Sequence, residues 1–361
     1  MRASLLRAAK AESTVEDVEL NPPGPGEVRV RIEATGVCHS DLSIQNGNIP
    51  GFFPTVLGHE GAGVISEVGD GVTNVAVGDH VIIAWIQPCR ECWFCLHGRA
   101  ANCVKSTARA ISGAYGACNG EAVYPGMGTA TFAEETVVPA PMAVKINPEF
   151  DLRLGALIGC GVATGVGAVR NAARVQSGES TVVVGCGGVG LAAIQGARLA
   201  GAAPLVAIDV VPAKLEMARQ AGATDVIDAR DSDVAKAVRK LTGGRGADQV
   251  LEVVGSSATI RQAYDLARVG GTVTVVGAGR FDDPVQFNAM ELMLGSKRLQ
   301  GTVYGDTDPA RDFPELVDLS LRGLLDLEML VSRTGTLADI DAAYEAMRNG
   351  EVARTVVLPH A

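Results

Sequence analysis

Apolar positions along this chain follow two different rhythms. From Val28 the text VRVRIEATGVC alternates apolar and polar side chains, and GHEGAGVISEVG (58–69), VAVGDHVIIAW (75–85) and FAEETVVP (132–139) continue as short apolar runs broken by glycine-rich turns. Alternation with period two puts one face of a strand in a core and the other in water, as half-buried antiparallel strands require. The chain up to about residue 150 therefore reads as a β-rich domain, with NPPGPGE (21–27) as turn chemistry rather than a linker. At residue 151 the rhythm changes. LIGCGVATGVGAV (157–169) is a small-residue, helix-like stretch, and from Thr181 the apolar runs TVVVG, LVAID, ATDVIDA, ADQVLEVVG and GTVTVVG alternate with helical patterns such as PAKLEMARQAG and SSATIRQAYDLARVG. Strand and helix in that alternation predict a parallel sheet covered on both faces, an α/β fold. After the strand-like RLQGTVYG (298–305), the helical ARDFPELVDLSLRG (310–323) and the strand ARTVVLP (353–359) return the chain to the first domain.

Composition sharpens this picture. A chain of 361 residues exceeds a typical single core, so two domains are expected. With 47% apolar residues, only 4% aromatic and 44 glycines, it suits an α/β protein with many tight strand-to-helix turns. A formal net charge of -10 with no basic patch argues against nucleic acid or anionic membrane as a partner. The N-terminal text has no apolar core of signal-peptide length, and VIIAWI (81–86) is too short to span a bilayer, so a soluble cytoplasmic protein is expected. Four of the eight cysteines crowd between 89 and 103, which points to reduced metal ligands rather than a disulfide framework.

Three stretches carry chemistry. In residues 36–60, Cys38 and His59 are candidate ligands for a catalytic metal, and Ser40, Asp41 and Glu60 surround them with a proton acceptor and supporting carboxylates. A catalytic zinc takes three protein ligands and keeps one position open, so a third ligand must come from elsewhere. Cys89, Cys92, Cys95 and Cys103, spaced C-x2-C-x2-C-x7-C, can close a tetrahedral shell with no room for substrate, which predicts a structural zinc. Arg90, Arg99 and Lys105 are the nearby cations that could offset four thiolates. Finally Gly185, Gly187, Gly188, Val189 and Gly190 form G-x-G-x-x-G directly after a strand and at the start of a helix, where the backbone can approach a pyrophosphate. Asp209 ends the next strand, nineteen residues past Gly190, where a carboxylate takes ribose hydroxyls. The competing reading of Asp209 is a cap for the helix beginning near Pro212. No Arg follows it closely, so NAD is favoured over NADP.

Taken together, GVCHSDL, LGHEGAG, the four-cysteine lobe, GCGVATGVGA, VVGCGGVG with Asp209 and the final EVARTVV resemble the zinc-dependent medium-chain alcohol dehydrogenases over nearly the whole chain. The likeness is greatest to the branch that includes thiol-dependent formaldehyde dehydrogenases. The resemblance implies a doubly wound Rossmann parallel sheet plus a β-rich GroES-like catalytic domain, divided as 1–161, 162–303 and 304–361. It implies Cys160 as the third catalytic ligand, Ser40 as the start of proton removal, Asp41 as the residue that orients His59, and Glu60 beneath the metal. It also places His39 and Arg354 at the pyrophosphate, Thr164 at the nicotinamide, Lys214 beside Asp209 at the adenosine ribose, Val253 and Val276 along the coenzyme, and Trp85 in the substrate pocket. Two zinc ions, NAD, and a homodimer or tetramer formed through the strand near RLQGTVYG complete the expectation.

Two departures stand out. Ser43 occupies a position where many members carry the His that ends a proton relay, and Ser106 stands where the glutathione-type enzymes carry an Arg for a substrate carboxylate. The expected reaction is hydride transfer between a primary alcohol, aromatic or medium-chain, and NAD. The alternatives are a formaldehyde dehydrogenase acting on an S-hydroxymethyl thiol adduct, a nicotinoprotein that retains its NAD, and a non-catalytic zinc protein with the same fold. His80, His97, His360, Cys118 and Cys186 are read as structural or surface residues.

Overall fold

Strand Glu27–Gly36 is the axis of the first of two units in the computed structural model, which describes residues 1–109, 113–230 and 233–361. Val28, Val30, Ile32 and Ala34 point inward and are buried, so the period-two pattern is realised as expected. The sheet runs Ala143–Lys145, His80–Ile83, Glu60–Val68, Glu27–Gly36, Arg354–Val357 and Val331–Gly335, with Glu135–Pro139 also pairing with the central strand. Val28, Val30 and Ile32 pack on Ile65, Val81, Ile83, Val138 and Met142, and burial of each such side chain contributes about 1.5–3 kcal/mol. A second core gathers Leu5, Leu6, Val56, Leu57 and Phe132 around Tyr344.

This unit comprises Met1–Gly161, Asp308–Gly323 and Leu327–Ala361. Its last segment is a true return, because Val356 and Val357 pair with Gly36 and Thr35. Two of its pairs are parallel, Thr55–Val56 with residues 124 and 125 and Val331–Gly335 with Arg354–Val357. Side-chain alternation does not encode strand direction, and neither Thr55–Val56 nor Val331–Gly335 was among the stretches whose rhythm suggested antiparallel strands.

Helical backbone runs from Leu152 to Ala173, and Asp151 caps it by accepting from the Arg153 amide at 2.8 Å. By length and composition this is one stretch, among the described residues, that could cross a bilayer, but 78% of its apolar window is buried inside the fold. Residues Ile158–Val162 widen into a π turn, which carries Cys160.

The second unit comprises Val162–Thr307 and Leu324–Asp326. Its six strands are all parallel, in the order Asp225–Asp228, Leu205–Asp209, Thr181–Val184, Ala247–Glu252, Ala267–Val275 and Arg298–Gly301. Numbered along the chain, that order is 3-2-1-4-5-6, the doubly wound dinucleotide-binding arrangement. Helix Ser257–Leu266 stops before the end of the periodic stretch SSATIRQAYDLARVG, because Ala267 pairs with Ala247 and already belongs to the next strand. Arg298–Gly301, the start of RLQGTVYG, forms the outer edge of this sheet.

Candidate metal centre and dinucleotide turn

Register decides the first site. Gly36 pairs with Glu60, so the residues just beyond that pair on the two strands, Cys38 and His59, are brought together across twenty intervening residues. A Cβ on Gly36 would lie 2.1 Å from Glu60 Oε2, which is why this position carries no side chain. The ligating atoms of Cys38, His59, Glu60 and Cys160 all lie within 4.8 Å of one another, and all four residues are buried.

His59 is held from behind. Asp41 Oδ1 sits 3.0 Å from His59 Nδ1 and also accepts the Gly58 amide at 2.9 Å. A proton on Nδ1 facing that carboxylate leaves the Nε2 lone pair free, and Nε2 is buried with no hydrogen-bond partner among the described residues. Burial works against a charged ring here, but Asp41 and Cys38 outweigh it and raise the His59 pKa well above its usual value. For the sulfur pair, a hydrogen bond from Cys160 together with His59 and Arg354 holds Cys38 well below the usual thiol range, while the same bond and burial push Cys160 well above it. An imidazole nitrogen with an unused lone pair beside two sulfurs fits zinc in donor type and in charge.

Beneath these groups Glu60 is fully buried, and burial, partly opposed by Arg354, raises its pKa to about 7. The Arg354 guanidinium donates to Glu60 Oε1 at 3.2 Å and lies 3.9 Å from Cys38 Sγ. This contact was not among the expectations for Arg354. Ser40, half-buried, lies 3.9 Å from Cys38 Sγ, and His39 beside it is exposed. Trp85 presents its ring edge-on to His59, with centroids 6.4 Å apart.

In the cysteine lobe the four sulfurs of Cys89, Cys92, Cys95 and Cys103 also lie within 4.8 Å of one another. The Cys89 amide points at Cys103 Sγ and the Cys92 amide at Cys89 Sγ, both at 3.3 Å. A hydrogen bond from the Cys95 backbone is the largest cause lowering the Cys92 pKa to about 6. All eight cysteines are free, and these four converge as metal ligands do. Two of the three expected cations also hold carboxylates, Arg90 forking onto Asp308 at 2.5 and 2.7 Å and Lys105 pairing with Glu91, while both still feel the charge of the lobe cysteines. His97 stacks on Trp93 with centroids 4.2 Å apart.

The glycine turn follows strand Thr181–Val184. Gly185 has φ +96, and a Cβ on Gly190 would lie 1.9 Å from Gly185 O, so helix Gly188–Leu199 can start this close to the strand only without a side chain there. Gly187 opens into free space on its Cβ side. Asp209 Oδ2 accepts the Cys186 amide at 2.7 Å, and Oδ1 accepts those of Val210 and Val211 at 2.7 and 2.9 Å. It is therefore not the cap of helix Pro212–Ala221, whose N-cap is Val211. Lys214 lies in that helix's first turn, near enough to act electrostatically on the buried Cys186 thiol. Thr164 precedes Gly165, where a Cβ would lie 2.3 Å from Val189 O, so it stands beside the start of the glycine-turn helix. Val253 and Val276 follow the ends of neighbouring strands, with the Val253 amide bonded to Val184 O at 2.8 Å. Glu252, which immediately precedes Val253 and whose backbone oxygen accepts the Val276 amide at 2.7 Å, was missed. An acid inside the apolar run VLEVV was the signal for it.

Comparison with known proteins agrees with this geometry. Residues 24–148 match the alcohol dehydrogenase GroES-like domain and residues 188–322 the zinc-binding dehydrogenase domain. An S-(hydroxymethyl)glutathione dehydrogenase of Synechocystis sp. is 40% identical over 353 residues, covering 95% of each chain. A zinc-binding alcohol dehydrogenase domain protein from Burkholderia ambifaria superposes with a TM-score of 0.95 at 36% identity, covering 99% of both chains. Benzyl alcohol dehydrogenase from Acinetobacter calcoaceticus superposes at 0.93 with 32% identity and the same coverage. The chain belongs to the zinc-dependent medium-chain alcohol dehydrogenases, NAD-dependent oxidoreductases of the CH–OH group with one catalytic and one structural zinc.

Proposed function

We propose that this protein oxidises a hydroxymethyl carbon, with the S-hydroxymethyl adduct of a low-molecular-weight thiol as its leading substrate and NAD as acceptor. The observation that carries the alcohol chemistry is the buried trio Cys38, His59 and Cys160 with its unused imidazole nitrogen. Zinc bound there supplies a Lewis acid that makes the substrate hydroxyl more acidic, and the dinucleotide supplies the hydride acceptor. Cys38, His59 and Cys160 are the metal's ligands and Cys89, Cys92, Cys95 and Cys103 those of the structural ion. Ser40 Oγ takes the hydroxyl proton and passes it outward past the exposed His39, since Ser43 offers no imidazole. Asp41 keeps the Nδ1 proton in place, so Nε2 remains a donor of electrons. The Glu60–Arg354 pair balances charge beneath the sulfurs. Trp85 lines the substrate side, and Thr164, Val253, Val276, Asp209 and Lys214 line the coenzyme. One hydroxymethyl thioether and NAD+ give the S-formyl thiol, NADH and a proton.

The sequence had ranked an aromatic or medium-chain alcohol first. The similarity to S-(hydroxymethyl)glutathione dehydrogenases at 38–40% identity over almost the full length now favours the adduct. One observation keeps the other reading as second. Ser106 Oγ accepts the Gln87 amide at 2.9 Å, so this position offers no cation for a glutathione carboxylate. A benzyl alcohol dehydrogenase is also among the similar structures. A substrate panel followed by NADH absorbance separates the two. Formaldehyde with added thiol is expected to give the highest kcat/KM, and turnover of benzyl alcohol alone, with no gain from thiol, overturns the adduct.

We also propose a homodimer. The open edge strand Arg298–Gly301 and the exposed Leu299, Met290, Met293 and Leu294 beside it support this assembly. The free thiols and the buried apolar helix are consistent with a cytoplasmic setting.

A further inference from the structure

Glu252 ends strand Ala247–Glu252 and is fully buried. Its Oε1 accepts three donors: the amides of Val254 at 2.9 Å and Gly255 at 2.8 Å, and the Thr259 hydroxyl at 2.7 Å. Its backbone oxygen accepts two more, from Val276 at 2.7 Å and Gly277 at 3.0 Å. One residue thus ties the end of its own strand to the loop after it, to the capping box that starts helix Ser257–Leu266, and to the turn after strand Ala267–Val275. Its second oxygen, Oε2, is buried and has no hydrogen-bond partner among the described residues. A buried polar oxygen left without a partner costs stability, which an apolar residue would avoid.

The segments it ties are packed backbone against backbone. A Cβ on Gly277 would lie 2.2 Å from Gly255 N, and one on Gly255 would lie 2.7 Å from the carbonyl carbon of Ala278. On the other side, a Cβ on Gly185 would lie 2.8 Å from Val254 Cγ2, so the 253–255 loop abuts the glycine turn directly. Strands Thr181–Val184 and Ala247–Glu252 are neighbours, and the chain order of the sheet reverses between them. Open parallel sheets bind ligands at the carboxyl ends of strands beside such a reversal.

We propose that Glu252 is a positioning residue for the dinucleotide: by holding the 253–255 loop and residues 276 and 277 at a fixed height against the glycine turn, it sets coenzyme affinity. It acts through the backbone of those loops and leaves the hydride-transfer step to other groups. The inference rests on the NAD-dependent reading above.

The test uses the full-length, zinc-loaded protein and three variants, with NADH affinity measured by fluorescence titration beside steady-state kinetics, zinc content and thermal unfolding. Glu252→Gln keeps an acceptor oxygen at Oε1 and is expected to bind NADH within about threefold of wild type. Glu252→Ala frees the loop amides and is expected to weaken NADH binding about tenfold or more, with the KM for NAD rising in step. Glu252→Asp keeps the carboxyl group but draws the oxygen back by one methylene, and is expected to fall between them. In every variant kcat at saturating NAD and the zinc content stay near wild type. A folded Ala or Asp variant with wild-type NADH affinity overturns the role. So does a Gln variant as weak as Ala, or a fall in kcat at unchanged affinity. A wild-type chain that binds no NADH removes the dehydrogenase reading together with this inference, whereas wild-type binding matched by all three variants removes this inference alone.

Discussion

Single side chains decide the state of their neighbours here, and distance along the chain hides most of the partners. Cys38, His59, Asp41 and Glu60 were legible because residue type and local spacing suffice to nominate them. The place of Arg354 against Glu60 was not, since 294 residues separate the two and only folding joins them. Asp248 is another such case. It accepts the Ser180 amide at 2.9 Å, the Ser180 hydroxyl at 2.6 Å and Arg268 Nε at 2.5 Å. Burial alone would raise its pKa, but Ser180 and Arg268 outweigh burial and hold it below the ordinary 3.8. A folded-state pKa lower than the unfolded one stabilises the fold above the unfolded value and ceases to do so as pH falls through the folded value. Asp248→Ala is therefore expected to cost about 2 kcal/mol near neutral pH, with the difference from wild type shrinking below about pH 4. Urea unfolding of both proteins at several pH values measures it, and a difference independent of pH contradicts the assignment.

At the scale of elements, rhythm predicted more than boundaries. The alternating strands of the first unit and the strand–helix series of the second were readable because side-chain period follows backbone geometry. The end of helix Ser257–Leu266 was not, because the helical pattern runs on into residues that a neighbouring strand captures. Nor was the π turn around Cys160, which depends on what the helix packs against. The glycine turn belongs to this scale as well, since it works only as a junction of strand and helix. Gly190→Ala places a methyl 1.9 Å from Gly185 O and forces the two apart. Such overpacking costs about 1–3 kcal/mol, which a folded unit can tolerate. The expected outcome is loss of NADH binding with both zinc ions retained, read by equilibrium dialysis and metal analysis. Retained affinity would show that the dinucleotide does not need this close approach.

For the whole molecule, two metal centres of unlike surroundings imply two unlike responses to chelation. The buried cluster sits at the ends of two well-paired strands, Glu27–Gly36 and Glu60–Val68, and on the π turn of Cys160, while three of the four lobe cysteines are partly exposed and the lobe has little secondary structure of its own. Metal supplies much of the order in such a lobe. Analysis of the purified chain is expected to give two zinc ions. Emptying the buried centre should abolish turnover and leave the amides of residues 89–103 protected from hydrogen exchange, whereas emptying the lobe should expose them. Protection of the lobe after complete metal removal would show that packing and the Arg90–Asp308 fork suffice to hold it.

The sequence by itself determined the class of fold, the resemblance to the family, the clustered cysteines with Cys38 and His59 as candidate ligands, and the glycine turn, because period, turn chemistry and ligand spacing are properties of short stretches. Only the tertiary structure decided that two strand pairs of the first unit run parallel, that Arg354 answers Glu60, that Asp209 grips the glycine turn, and that Glu252 ties three segments together. Those are pairings between distant residues. A buried charge must find its partner wherever the chain happens to return, and no local pattern records that place.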